Sequence, residues 1–384
     1  MAGQCNAVFD RLARSLGGFT CQDAPAIIHL RSPFALSNWT LPVLELMMVA
    51  GAVLALWWSV RRLRRDGDPT NLALWLATVI YLFVVEIPLY FPNVFGVEDS
   101  LGVVFAHNAF TVQFLFDRLP LYIVALYPAM ITLAYEIVRS LGVFRDRGIV
   151  VGAVCVGFVH LCFYEVFDQL GPQLRWWAWN TDNPLNHPFL ASVPMTSVFI
   201  FATLGPIVVT LLVMLLVGRS AQHGKQFSAC GLTVSTVVAG VLVPVGLAIL
   251  SIPSSLFGGV DPNTTAQAIV FAIELALVAV IAVPVLVRQW PRIRRREATG
   301  GTPNDFVRVF GPVYLGVVAV LWASALPDYF GAVNGITSDG TPIGNLPYAA
   351  LGFMAAALCV AATVTVGSTK PEKAELASRS ATGS

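Results

Sequence analysis

Charged residues are scarce in this chain, and the scarcity excludes several classes of protein. Only 12% of the 384 residues are Asp, Glu, Lys or Arg, against about 25% in an average soluble protein. Acidic and basic residues nearly cancel, which leaves a formal net charge of +1. We therefore exclude a disordered chain, a basic nucleic-acid-binding protein and an acidic tail protein.

Familiar metal and nucleotide motifs are also missing. The sequence has no C-x-x-C pair, no H-E-x-x-H helix, no glycine-rich phosphate loop and no G-x-S-x-G elbow, so it predicts neither a metal site nor a cofactor. Cys5 and Cys21 share the predicted outer side, where a disulfide is possible. The other four cysteines fall in apolar stretches and are expected to be buried free thiols: Cys155, Cys162, Cys230 and Cys359.

Apolar residues, by contrast, make up 56% of the chain and gather in long blocks. A spanning helix needs about 20 mainly apolar residues, and such blocks cover 41–60, 71–91, 119–140, 149–167, 191–217, 228–251, 265–287, 306–326 and 346–366. The stretch 101–116 is apolar but short and contains polar residues, so we expect a re-entrant or interfacial segment there. The predicted fold is an all-α polytopic transmembrane helix bundle with about nine spans.

Basic residues in the short loops set the expected orientation. Clusters follow the first, third, fifth, seventh and ninth spans, and such clusters favour the cytoplasmic side of a membrane. The sequence therefore predicts an extracytoplasmic N-terminal segment (1–40), a transmembrane helical domain (41–366) and a disordered cytoplasmic tail (367–384). Arginine outnumbers lysine by 20 to 3, and alanine, valine and glycine are abundant. This composition is typical of a high-GC bacterium, which makes the plasma membrane the expected location.

Ionisable side chains inside the spans are the first functional candidates, because a charge there costs about 2.5–3.5 kcal/mol on insertion scales. Glu136 lies three residues before Arg139, and an ion pair on one helix face explains it. Glu45 lies about one turn into its span, from which it could reach the interface. Glu274 has no obvious partner in the sequence.

Three other carboxylates fall near the predicted outer ends of spans two and four, so they can converge: Glu86, Glu165 and Asp168. His160, Tyr164 and Asp168 recur every four residues, along one stripe of a helix. A positioned carboxylic acid that carries its proton at neutral pH can act as a general acid. A polar network that only locks two helices together remains the structural alternative.

The outer loops add aromatic and polar candidates. Trp176, Trp177 and Trp179 follow span four, shortly before Asn180. Tryptophans at a membrane edge usually form an aromatic belt, and the sequence favours that interpretation slightly. The alternative is a set of π faces beside the carboxylates, able to stabilise a carbocation or to line an apolar substrate.

The middle of the chain, about residues 80–215, resembles the integral-membrane carotenoid-biosynthesis family that includes carotenoid 1,2-hydratases and bisanhydrobacterioruberin hydratase. The matching pieces come in the family's order, although Gln169 stands where the family has a proline. They are Glu86, Arg118–Ile123, Tyr127–Ile131 running into Ala134–Arg139, Asp168–Gly171, Trp176–Trp179 and Val193–Phe199.

The resemblance implies a hydratase, which protonates a terminal isopropylidene double bond and lets water capture the tertiary cation. Glu165 or Glu86 would then be the acid, and Asp168 the base that orients water. Trp176, Trp177 and Tyr164 would face the cation, and Asn180 would position the water.

Two further residues complete the expected substrate site. His160 shares the helical stripe of Tyr164 and Asp168. Arg118 either pairs with its neighbour Asp117 or supplies a charge to the outer cluster.

Two other functions remain open on sequence grounds. Prolines within several spans and buried carboxylates are also typical of a proton-coupled transporter or flippase of a lipid or small apolar solute. A non-catalytic membrane scaffold for enzymes of the same pathway is the third possibility. The expected partners are a membrane lipid or isoprenoid substrate and possible pathway enzymes, with no nucleic acid.

Overall fold

The computed structural model describes residues 6–17, 20–21, 24–32, 34, 38–259, 261–294 and 304–364. Its helices are α1 (Ala7–Gly17), α2 (Thr40–Asp66), α3 (Thr70–Tyr90), α4 (Glu98–Leu101), α5 (Leu121–Ser140), α6 (Val143–Leu170), α7 (Ser197–Gln222), α8 (Ala229–Leu250), α9 (Ile252–Ser255), α10 (Thr264–Arg294), α11 (Asp305–Gly331) and α12 (Leu346–Val364). The predicted tail, 367–384, lies outside the described residues.

Nine of these helices are long and apolar enough to cross a membrane within the described part of the chain: α2, α3, α5, α6, α7, α8, α10, α11 and α12. They correspond one to one with the nine predicted spans, which confirms the expectation of a multi-pass, largely helical membrane protein. Helix α5 lies at the centre, with 89% of its apolar window buried, whereas α10 lies at the edge with 17% buried. Helix α5 packs against α2, α3 and α6.

Short strands and α1 form a layer over one end of the bundle, which we name the outer layer. The strands are β1 (Ile28–Leu30), β2 (Phe105–His107), β3 (Val112–Phe114), β4 (Leu119–Pro120), β5 (Trp177–Trp179), β6 (Phe189–Leu190) and β7 (Val193–Pro194). They pair antiparallel as β1–β3–β4, β2–β5 and β6–β7. The predicted extracytoplasmic segment thus contains α1 and the edge strand β1.

The stretch 101–116 belongs to this layer, where it forms the end of α4 and the strands β2 and β3. It is too short for a spanning helix, and its polar residues are used within the layer. Gln113, for example, donates to the carbonyl oxygens of His107 and Asp117 at 3.3 and 3.0 Å. The segment therefore leaves the number of spanning helices unchanged.

Glu45 anchors the turn between β2 and β3, a structural role at the end of its helix. Its carboxylate is buried and accepts hydrogen bonds from the Thr111 backbone N–H (3.1 Å) and hydroxyl. The Phe110 N–H lies 3.4 Å away on the same carboxylate. Because α2 begins beneath this turn, Glu45 binds the outer layer to the bundle.

The opposite end of the bundle, which we name the basic end, is held together by Glu136. Arg139 binds both oxygens of its buried carboxylate at 2.7 Å, as the sequence spacing predicts. The carboxylate also accepts hydrogen bonds from Trp58 of α2 (3.0 Å), Asn71 of α3 (2.8 Å) and Asn304. One charge thus joins α2, α3, α5 and the start of α11.

Two further contacts place the end of α2, the start of α6, the end of α10 and the start of α11 at the basic end. Arg61, near the end of α2, pairs with Asp305 at the start of α11, at 2.9 Å. Gln289 of α10 donates to Asp146 of α6 at 2.8 Å. The basic residues of these loops consequently lie at the same end of the molecule.

The cysteines follow the sequence expectation with one exception. Cys155 and Cys162 are buried free thiols and Cys359 is partly buried, but Cys230 is exposed on α8. Helix α8 lies at the edge of the bundle, which is why an apolar stretch there does not bury its thiol. Cys21 takes part in a disulfide; its expected partner, Cys5, lies outside the described residues.

The Glu136 network predicts a large stability difference between two arginine substitutions at the basic end. Arg139→Met leaves a buried carboxylate without its cation, which costs about 3–5 kcal/mol of unfolding free energy. Arg65→Gln removes an exposed pair with Asp66, a change of about 1 kcal/mol or less. Thermal unfolding of both purified variants in the same detergent measures the difference, and equal melting temperatures would contradict the role of Glu136.

Candidate functional site

Three buried carboxyl groups lie at the outer-layer ends of α3 and α6, and we name them the carboxylate cluster: Glu86, Glu165 and Asp168. The Tyr164 phenol interacts electrostatically with all three groups. Glu165 and Asp168 also interact with each other, so the predicted proximity is observed for this pair, and Glu86 is linked to them through Tyr164.

Glu86 belongs to a tyrosine-rich pocket between α3 and α5. The Tyr127 hydroxyl donates to Glu86 Oε1 at 2.6 Å. The Tyr127 ring in turn meets Tyr81 edge to face, with centroids 5.3 Å apart. The Tyr90 side chain also interacts with the Glu86 carboxylate, whose Oε2 has no partner within hydrogen-bonding distance.

Glu165 and Asp168 lie three residues apart on α6 and interact electrostatically with each other. The Ser197 hydroxyl donates to Asp168 Oδ2 at 2.7 Å, and the Gln169 amide donates to Glu165 Oε2 at 3.3 Å. Asp168 Oδ1 and Glu165 Oε1 are buried without partners. Each carboxyl group of the cluster therefore keeps one oxygen free.

The local structure positions both of these side-chain donors. Ser197 follows the β6–β7 hairpin and opens α7, whose first turns are π-helical, a widening that is common at functional sites. Gln169 is fixed by its other end, since its Oε1 accepts a hydrogen bond from the Asn345 N–H at 2.7 Å. Gln169 thus connects α6 to the segment before α12.

Within the described residues, no arginine or lysine forms an ion pair with the carboxylate cluster. The ion pairs that are present involve other carboxylates. Glu136 shows the contrast, because both its oxygens are bound by Arg139 and by neutral donors. An isolated anion is far more costly to bury than a neutral carboxyl group. The cluster therefore differs from Glu136 in having neutral donors but no cation among the described residues.

A continuous set of rings extends from the cluster towards the outer layer. Tyr164 stacks on His160 at 5.4 Å and meets Phe167 at 5.6 Å. Phe167 contacts Trp176 at 5.5 Å and Trp177 at 4.7 Å. The predicted aromatic stripe of α6 therefore continues into the tryptophan loop.

The aromatic-belt interpretation is wrong for Trp176 and Trp177, which are only 0% and 3% exposed. Trp176 donates from its indole to the Thr40 hydroxyl at 2.8 Å. Trp177 packs against Gly171, where a Cβ would lie 2.1 Å from its ring. The pairing of β5 with β2 turns these side chains inward, a tertiary contact that sequence spacing does not reveal.

His107 lies above the rings as part of the same outer layer. Its Nδ1 is 3.4 Å from the Tyr90 hydroxyl, and its ring meets Trp177 at 6.3 Å. Burial lowers the pKa of His107 to about 3, although a hydrogen bond with the Arg118 backbone opposes that shift. The imidazole is consequently neutral at physiological pH.

Arg118 and Asn180 make their direct contacts within the outer layer rather than with the carboxylate cluster. The Arg118 guanidinium donates to the Tyr90 carbonyl and lies 4.5 and 4.6 Å from the rings of Phe9 and Phe91. Burial lowers its pKa to about 10, with Asp10 opposing the shift. Its neighbour Asp117 pairs with His29 at 2.9 Å.

The Asn180 side-chain amide donates to the Val103 carbonyl at 2.8 Å and so holds the loop to the outer layer. His160 of α6 is bound to α7 by a 2.8 Å hydrogen bond from its Nδ1 to the Ala202 carbonyl. Glu274 lies half-buried on α10, with Ser254 as its hydrogen-bonding neighbour.

Sequence reasoning missed Tyr127 and Ser197 as members of the site, although both fall inside the motif segments that carry the family resemblance.

Within the described residues, no group of three or more His, Cys, Asp or Glu side chains is arranged to hold a metal ion.

Comparisons of the chain with protein-family profiles, with curated proteins and with solved structures find no match.

The buried His107 predicts a specific pH dependence of stability. The unfolded histidine takes up a proton below its ordinary pKa of about 6.5, whereas the folded one does so only near pH 3. The contribution of the neutral His107 to the free energy of unfolding is therefore complete above pH 6.5 and is lost as the pH falls towards 3. Each pKa unit corresponds to about 1.4 kcal/mol, so the loss amounts to several kcal/mol.

His107→Phe should be less sensitive to acid than the native protein over that range. Melting temperatures measured from pH 7 to pH 4 give the difference between the two proteins. The exposed His223 provides the control, and His223→Gln should follow the native curve. A His107→Phe curve parallel to the native one would contradict this assignment.

The packing of Trp177 against Gly171 predicts that two glycine substitutions will differ in their effect on stability. Gly171→Ala places a Cβ against the indole and should displace it, at a cost of about 1–3 kcal/mol for overpacking. Gly316→Ala adds a Cβ in open space within α11, so stability should be unchanged or higher by up to about 1 kcal/mol. Tryptophan fluorescence and thermal unfolding report the two effects, and unaltered emission in Gly171→Ala would contradict the packing.

Proposed function

We propose that this protein is an integral membrane enzyme that protonates a carbon–carbon double bond of an isoprenoid or carotenoid-like lipid. Hydration is the proposed outcome of that protonation. The main observation in support is that three buried carboxyl groups each have one oxygen without a hydrogen-bond partner. Ionisable groups within a membrane domain that lack a structural partner are candidates for function by default.

The chemistry needs an acid, a water molecule and a base. The carboxyl O–H of Glu165 or Glu86 gives its proton to the less substituted carbon, and the double-bond electrons form the new C–H bond. The tertiary cation that results is attacked by the oxygen of water. Asp168, in its ionised form, accepts the proton that this water loses, and proton transfer between the carboxyl groups restores the acid.

The positions of the surrounding groups support this division of roles. Glu165 and Asp168 are three residues apart on one helix, so an acid and a base can serve the same substrate carbon pair. Ser197 donates to Asp168 at 2.7 Å and orients it. Because the Asn180 amide is already bound to Val103, Ser197 replaces Asn180 as the proposed positioning residue.

Aromatic rings beside the cluster suit a cationic intermediate. The negative face of a ring attracts a cation within about 6 Å, and Tyr164, Phe167 and Trp177 form a continuous wall next to Asp168. The sequence resemblance to carotenoid hydratases supports the same chemistry on separate grounds. Arg118 is retained only as a residue that fixes the outer layer.

The proposed orientation places the outer layer outside and the basic end in the cytoplasm. The support is the position of the basic loops at one end of the bundle together with the preference of such loops for the cytoplasm. A bacterial plasma membrane is the proposed location, on the composition of the chain.

A proton-coupled carrier is the second candidate, favoured by a different observation. Buried hydroxyl groups without partners lie in the bundle on α3, α5 and α7: Tyr81, Thr132 and Thr210. Waters bound to such groups would give protons a route between the basic end and the carboxylate cluster. Flux that an uncoupler abolishes, with no product of changed mass, would favour this function over catalysis.

The enzyme proposal predicts a new product in a lycopene-producing host that expresses the chain. Mass spectrometry of its pigments and lipids should show a species heavier by one water molecule. Glu165→Gln and Asp168→Asn should each lower its yield by at least about 100-fold, the lower range for general acid–base catalysis.

Glu274→Gln is the matched control, since it neutralises a carboxyl group within a span but outside the cluster, and it should retain the product. All variants must reach the membrane at equal levels by immunoblot. Full turnover by Glu165→Gln and Asp168→Asn would contradict the assigned roles.

A further inference from the structure

The edge strand β1 exposes its apolar residues and turns its polar residues inward. Successive residues of a strand point to opposite faces, so Ile28 and Leu30 share one face and His29 lies on the other. Ile28 and Leu30 are 50% and 75% exposed. The His29 Nδ1 lies 2.9 Å from both oxygens of the buried Asp117 carboxylate. A strand with one face in water normally has the reverse arrangement.

Arg31 follows the same inverted pattern. Its guanidinium donates to the side-chain oxygens of Asn108 and Gln113, each at 3.3 Å, and both of these residues are fully buried. Arg31 is also the only Asp, Glu, Lys or Arg between positions 24 and 39 of the sequence. The exposed face of β1 therefore carries no charge.

Further exposed apolar side chains lie on both sides of the strand: Ile27, Phe34 and Trp39. Single apolar residues are normal at a protein surface, whereas a contiguous set marks an interaction surface. The segment 27–39 has the character of such a surface.

Hydrogen bonds fix the depth of β1 relative to the spanning helix α2. The Arg31 backbone N–H donates to the Thr111 carbonyl at 2.8 Å, and the Thr111 N–H donates to Glu45 of α2. Helix α2 begins at Thr40 and rises about 1.5 Å per residue, so Glu45 lies roughly 7 Å below its start. The strand is consequently attached at the level where a span passes from hydrocarbon to lipid headgroups.

The lipid-facing surface of α2 leads directly to this segment. Leu46 and Val53 are exposed within the apolar stretch of α2, where the medium around a spanning helix is lipid. Trp39 lies seven residues before Leu46, near the same helix face. Exposed tryptophans are typical of the boundary between membrane and water. The exposed residues of 27–39 thus continue a surface that contacts lipid.

We propose that the apolar face of β1, formed by Ile28 and Leu30, docks into the membrane leaflet on the side of the outer layer, at the boundary between headgroups and acyl chains. The partner is a lipid surface, because the face is apolar, uncharged and continuous with the lipid-facing side of α2. Strands in contact with lipid show the same alternation, with apolar residues outward and polar residues inward. This docking depends on the membrane-spanning fold and not on the proposed double-bond chemistry.

The test is a depth measurement on the full chain, reconstituted into phospholipid vesicles with a nitroxide label on Leu30→Cys. Cys230→Ser and Cys359→Ala remove the two free thiols that are not fully buried. Power saturation compares collisions with oxygen, which concentrates in hydrocarbon, and with nickel(II) ethylenediaminediacetate, which stays in water. Val53→Cys is the lipid control, and Asp182→Cys, exposed in the outer layer, is the water control.

The oxygen-to-nickel collision ratio at Leu30→Cys should approach the ratio at Val53→Cys and exceed that at Asp182→Cys several-fold. Ile28→Cys, on the same face, should give the same result and decides alone if Leu30→Cys does not fold.

A ratio equal to that of Asp182→Cys would overturn the proposal, since the face would then lie in water. Shielding from both reagents would overturn it as well, because a second copy or another protein segment would then cover the face. Neither result bears on the hydrated product, which is measured separately.

Discussion

A hydrocarbon layer offers no water to a buried polar group, so every such group in a membrane bundle needs a partner within the protein. In this chain the buried carboxylate at the basic end has partners for both of its oxygens, whereas the carboxyl groups at the other end do not. Glu136 binds Arg139, Trp58, Asn71 and Asn304 and joins four helices by doing so. The carboxylate cluster, at the opposite end of the same helices, has free oxygens and no cation among the described residues.

The outer layer makes this arrangement possible by covering the cluster. Glu45 holds the turn before β3, and Trp176 is bound to Thr40 by its indole and to Tyr122 by its carbonyl. Arg118 joins α1 to the end of α3. These contacts place His107 beside Tyr90 and Trp177 against Phe167, so the outer layer covers this end of α3 and α6. The proposed chemistry depends on that closure, since a carbocation exposed to bulk water has no selective fate.

Much of the fold could be predicted from the sequence because it depends on local composition. All nine spans follow from apolar length, and the Glu136–Arg139 pair follows from helical spacing. The outer layer could not be predicted in the same way. Its strands are two or three residues long and pair across large sequence separations, as β2 does with β5. The inward position of Trp176 and Trp177 depends on that pairing.

The residues of the candidate site likewise differ in whether local sequence spacing or tertiary packing identifies them. His160, Tyr164 and Asp168 share a stripe of one helix that periodicity predicts, and Glu165 borders it. Ser197 and Tyr127 reach the carboxyl groups from other helices, so only the packing of α7 and α5 against α6 and α3 identifies them. Arg118 and Asn180 have the residue types of a substrate site, but tertiary contacts bind both within the outer layer.

The central claim is that a protein carboxyl group protonates carbon and that water supplies the hydroxyl oxygen. Isotope labelling of the product tests both parts in one measurement, with membranes that contain the protein incubated with lycopene in D₂O enriched in H₂¹⁸O. The account predicts one deuterium bound to carbon that does not exchange, and one ¹⁸O in the new hydroxyl group. A hydroxylated product without carbon-bound deuterium, or with oxygen that does not come from water, would contradict it.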